Sequence, residues 1–181
     1  EAASASTRKR LMTFSENTQN TDKVLNNNHF ALPVKQALQF FSRTCSVFFE
    51  DASEYAPTGG QFTVAQHVAH VAQTIDWFMV GGFRSEGFDL DFAAHQQDVR
   101  ECTSLQDAMI WLVQSVDNAA MILGGKTPKE MMAPIAPGPV MGGEPRAAII
   151  AAIAEHTAHH RGSLAVYARM RGYHPPMPYA D

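Results

Sequence analysis

From Phe30 onward the apolar residues recur at steps of three and four. Val34, Leu38, Phe41, Cys45 and Phe48 form one stripe, which predicts an amphipathic helix broken by Ala-Pro-Thr-Gly-Gly at 56–60. Thr63 and Gln66 then make a T-x-x-Q capping box, and Val64, Val68, Val71 and Ile75 carry the stripe of a second helix running to Gly81. Residues 85–103 have few periodic apolar positions and read as a long loop with one short helical piece. Ser104 and Asp107 start a third helix, stopped by Gly124 and Gly125. The prolines and glycines of 124–146 exclude a continuous helix, and Met131, Met132 and Met141 there suit a loop folded back over the core. Glu144 and Pro145 mark a favourable start for a fourth helix, which ends near Gly172.

Four long helices with no competing strand pattern predict an all-α four-helix bundle over residues 29–181. A long Gly/Pro-rich loop precedes its last helix. Residues 1–28 are polar and asparagine-rich, too poor in apolar positions to nucleate a core, and read as an N-terminal extension.

The inward stripe of the last helix contains histidines: Ile149, Ile153, His156, His160, Leu164, Tyr167. Histidines at i and i+4 lie on one face, so one helix supplies two imidazoles to a single ion. A third ligand is needed, and the second helix offers His67 and His70. Helical-wheel arithmetic puts His67 about 60° and His70 about 120° from the apolar centre, so periodicity prefers His67. The alternative is that His156 and His160 are core histidines bonded to neighbouring backbone.

Composition narrows the partners. With 45% apolar and 18% charged residues, a net charge of -4 and a pI near 6.0, the chain has no basic footprint for nucleic acid or acidic membranes. A small-molecule substrate is the partner expected. No run approaches the roughly 20 apolar residues of a membrane span. Cys45 and Cys102 are too few for a disulfide framework. The aromatics of FFSRTCSVFF at 40–49 exceed one stripe, which makes a homodimer an expectation. A cytoplasmic location is expected, with export as the alternative, because small residues followed by basic ones at the start also suit a cleaved signal.

TVAQHVAHVAQT at 63–74, followed far downstream by EHTAHHRGSLAVYARMRGYHPPMPY at 155–179, resembles the DinB/YfiT family of metal-dependent bundle proteins. That resemblance implies a four-helix bundle with a three-histidine centre for zinc or nickel. By position it assigns the ligands to His70, seven residues after the helix-starting Thr63, and to His156 and His160. Ser163 stands where glutamine is common in the family. Relatives include thiol S-transferases and a thiol-dependent isomerase, so a low-molecular-weight thiol is an implied second cofactor.

Three neutral imidazoles leave a bound ion its full double charge and an exchangeable position, which lowers the pKa of a bound thiol or water. The expected activity is therefore a thiol S-transferase acting on an electrophilic small molecule. The alternatives are a hydrolase using metal-bound hydroxide and a non-catalytic metal-binding bundle. A hydrolase needs an acid or base near the ion, for which Asp76, Glu155 and His159 are the loose candidates. Arg161 suits an anionic substrate, or else packs its stem along the helix.

Overall fold

A computed structural model describes residues 29–179 of the chain. The expected extension over 1–28 lies outside the described residues. The first helix, α1, spans residues 29–45. A 3-10 turn at Glu50–Ala52 follows, then α2 (Val64–Phe83), α3 (Phe92–Glu101), α4 (Leu105–Gly124), α5 (Pro128–Met132) and α6 (Ala148–Met170). Among the described residues there is no strand, only a bridge between Pro134 and Pro145. The protein is all-α, and its four long helices are α1, α2, α4 and α6.

The central element is α2, which packs on α3, α4 and α6. Its first turn is held as the sequence predicts. Gln66 N donates to Thr63 Oγ1 at 3.2 Å, and Thr63 N donates to Gln66 Oε1 at 3.1 Å. Gln66 Nε2 also donates to Arg100 O at 3.0 Å, which ties the start of α2 to the end of α3. Thr63→Ala removes half of the box and is expected to cost about 1 kcal/mol, read as a lower urea midpoint with unchanged slope.

One continuous core joins Val34 and Phe41 of α1, Val68 and Val71 of α2, Leu112 and Val116 of α4, and Ile153 and Leu164 of α6. The aromatics of residues 40–49 are mostly used inside the chain. Phe41 and Phe48 are buried, and Phe40 meets Tyr179 edge-on at 4.9 Å. Phe49 alone stays largely exposed. Cys45 is buried and Cys102 half-buried, both as free thiols. Burial without a compensating charge pushes both thiols up in pKa and leaves them protonated at neutral pH.

The stretch between α4 and α6 folds back on the core: Met131 and Ile135 are fully buried and Met141 packs against the cluster, while Met132 faces out. Here the structure differs from the sequence reading. The last helix begins at Ala148 rather than at Glu144 and Pro145. The reason is a competing set of bonds: Ile135 N donates to Glu144 O at 2.8 Å, and Arg146 N to Ala133 O at 3.0 Å. Those residues pair with the returning chain, so they are not free to start a helix. The one short helical piece expected within 85–103 is α3, whose N-cap Asp91 accepts from Ala94 N at 3.0 Å.

Candidate metal centre

Two adjoining helices supply four imidazoles. His67 and His70 lie three residues apart on α2, about 60° around its axis, so both reach α6. On α6, His156 and His160 lie one turn apart on the face that also buries Ile153 and Leu164. The ligand nitrogens of His70, His156 and His160 all lie within 4.8 Å of one another. His156 Nε2 is 3.2 Å from His70 Nε2 and 3.1 Å from His160 Nε2. The second α2 histidine meets the other ring nitrogen of His160: His67 Nδ1 is 3.0 Å from His160 Nδ1.

This donor set fits a cation. Nitrogens bound at 2.0–2.1 Å in a tetrahedral site sit about 3.3 Å apart, close to the two observed spacings. Hydrogen bonding alone does not account for the cluster. A neutral imidazole nitrogen has either one proton or one lone pair, yet His156 Nε2 faces two other nitrogens. A positive ion between three lone pairs meets the needs of all three at once.

Burial keeps these rings neutral. It lowers the pKa of His67 to about 4 and of His156 to about 4. Burial, then repulsion from His156, His70, His67 and His159, lowers His160 to about 2. His70 is lowered by burial and then by His159. Neutral imidazole is the metal-binding form.

The same shifts tie the stability of the metal-free protein to pH. Each ring returns to about 6.5 on unfolding, so between about 6.5 and about 4 the unfolded chain binds protons that the folded chain refuses. Stability is full above about pH 6.5 and falls as pH drops toward about 4. Thermal unfolding of chelator-treated protein over that range checks the slope. A variant with His156 and His160 both replaced by leucine should show a shallower one, and an unchanged slope would assign it to other groups.

A cavity of about 370 Å³ opens against His70 and His156. Phe62, Trp77, Phe78 and Phe92 line it, with Gln73, Thr74, His95 and Gln96 as its polar positions. Behind this wall a glycine is required: a Cβ at Gly81 would run into the Phe88 ring, whose centroid lies 4.5 Å from that of Trp77.

The remaining candidates lie outside the three-histidine group. Asp76 accepts from Trp111 Nε1 at 2.9 Å and from Ser115 Oγ at 2.8 Å, so both bonds are spent joining α2 to α4. Glu155 is exposed on α6, and His159, also exposed, lies beside the cluster with its ring edge-on to that of His160 at 4.9 Å. Arg161 turns toward the first helix: its Nη2 donates to Tyr179 Oη at 2.9 Å, and its guanidinium lies over the rings of Tyr179 and Phe40. It borders a smaller cavity with Phe40, Ala154 and Ala158, not the one beside the histidines. Sequence reasoning passed over His95 and Phe62. Both lie outside the strong apolar stripes, and the local signal for the helix that carries His95 is the capping aspartate at its start, Asp91.

No helix among the described residues is long and apolar enough to cross a membrane. No protein of curated function matches the chain. The sequence model described as the DinB family matches residues 17–181, which takes in every helix above and both histidine-bearing segments. The chain therefore belongs to the DinB family.

Proposed function

We propose that this protein is a metal-dependent enzyme, with His70, His156 and His160 as ligands of a zinc or nickel ion, that joins a low-molecular-weight thiol to an electrophilic small molecule. The observation that carries the reading is the convergence of three Nε2 atoms at the edge of a ligand-sized cavity. A structural site would close its coordination with a fourth side chain, whereas one bordering a cavity leaves room for a substrate atom. A divalent ion there supplies Lewis acidity, favouring the ionised form of a thiol or water that reaches it.

The chain's own residues do the rest. His160 presents Nε2 toward the cluster while its Nδ1 meets His67. A proton on His160 Nδ1, donated to the lone pair of His67 Nδ1, holds the ring in the tautomer that leaves Nε2 free. His67 is in turn packed edge-on against Tyr167, with ring centroids 5.0 Å apart, and Tyr167 Oη donates toward Phe62 O at 3.1 Å. The aromatic lining limits water near the reacting atoms and so strengthens the electrostatics there.

The experiment is thiol consumption by zinc-loaded and nickel-loaded protein, offered a cellular thiol together with a chlorodinitroarene acceptor. Metal-dependent loss of the thiol with formation of the thioether supports the reading. A loaded protein that neither binds nor consumes any cellular thiol would sink it.

A further inference from the structure

The cavity beside the histidines has an unusual balance of lining groups. Trp77 is the hub of its aromatic wall, with ring centroids 5.2 Å from Phe78 and 6.0 Å from Phe92. Its polar positions are amides, a hydroxyl and imidazoles, and among the described residues no lysine, arginine, aspartate or glutamate lines it.

The nearest charges are already committed. The Arg100 guanidinium lies over the Phe62 ring at 4.5 Å and donates to Gly60 O, Gln61 O and Gln66 Oε1. Asp89 faces His95 at 3.6 Å and accepts from Asp91 N. An adjoining cavity brings Asp76 and Arg84 near the same Trp77, but Asp76 is held by Trp111 and Ser115, and Arg84 donates to Gly87 O at 3.1 Å. A charged ligand body would lose its hydration here and find no free counter-charge. A flat aromatic body instead meets rings able to stack on it or approach edge-on.

We propose that this cavity takes a flat aromatic molecule whose body is uncharged and whose one reactive group lies at the end facing His70 and His156. The inference deepens the metal-centre reading and rests on it only for that reactive end. Recognition of the body stands on the cavity alone.

Calorimetric titration of chelator-treated protein with 2-naphthol, 2-naphthoate and decahydro-2-naphthol separates charge from flatness. Metal-free protein is used because a bound ion would itself attract the carboxylate. The expected result is saturable binding of 2-naphthol, about tenfold or more tighter than 2-naphthoate and about threefold tighter than the saturated alcohol. Phe92 is exposed at the start of α3 and lines the cavity, so Phe92→Ala leaves the fold intact. That variant should weaken 2-naphthol about threefold to tenfold. No binding of 2-naphthol, equal or tighter binding of 2-naphthoate or of the saturated alcohol, or no effect of Phe92→Ala overturns the proposal. Repeating the titration with zinc distinguishes the two readings. Retained 2-naphthol binding without metal uptake means that the metal reading has failed, whereas metal uptake without the aromatic preference means that this one has.

Discussion

His160→Ala is expected to abolish the stoichiometric uptake of zinc or nickel proposed for this site. His160 stands at the middle of the cluster, touching His156 through Nε2 at 3.1 Å and His67 through Nδ1 at 3.0 Å. Its loss leaves two of the three converging nitrogens and removes the ring that His67 meets. Metal affinity should fall by more than about 100-fold, beyond the range of roughly 10–100-fold typical of groups that act on a ligand from outside. His67→Ala belongs in that lower range. His159→Ala should retain full metal content, since His159 is exposed and is not among the three converging imidazoles. Elemental analysis after dialysis against a graded chelator orders the variants. Full metal content in His160→Ala, or a His67→Ala protein as empty as it, overturns the assignment. The cobalt-loaded His67→Ala protein should also keep a three-nitrogen absorption pattern that His160→Ala lacks.

Leu164→Ala should do the reverse, lowering stability while leaving metal content near that of the parent. Leu164 lies one turn beyond His160 on the same face of α6 and is fully buried in the core. Truncating a buried leucine loses transfer free energy and leaves a cavity, together about 2–5 kcal/mol. For a chain of this size each kcal/mol moves the midpoint by about 2–4 °C, so thermal unfolding should come about 5–15 °C earlier. The nitrogens of the cluster are held by α2 and by the turn of α6 before this residue, so stoichiometric metal should persist below the lowered midpoint. A variant that loses metal and stability together would mean that core packing at Leu164 sets the position of His160. Taken with His160→Ala, the pair separates the site from the scaffold.

Much of the scaffold could be read directly from residue spacing. The Thr63 and Ser104 caps, the buried runs of α2 and α4, and the inward stripe carrying Ile149, Ile153, His160, Leu164 and Tyr167 all occur where local pattern places them. Short-range hydrogen bonds and a helical period settle such features, and both are written in neighbouring residues. The start of α6 was misread for the complementary reason. Glu144 and Pro145 are good helix openers by themselves, but the backbone at 133–135 claims them through bonds from a returning segment. Arg161 and Asp76 show the same limit: one meets Tyr179 in the segment after α6 and the other Trp111 on α4, partners that no helical wheel contains.

What this sequence determined by itself is the four long helices and the pairing of His156 with His160, because a period of 3.6 residues leaves their common face no alternative. Which of His67 and His70 faces His156 is decided only by the tertiary structure, since periodicity preferred His67 and the family resemblance His70. The two lie about 60° apart on α2, and the packing of α2 on α6 sends His70 Nε2 to His156 while it sets His67 Nδ1 against the far nitrogen of His160. Both positions meet the cluster, one at its centre and one behind it. That division depends on how two helices approach each other, a relation between segments 86 residues apart for His70 and His156, and periodicity within either segment does not contain it.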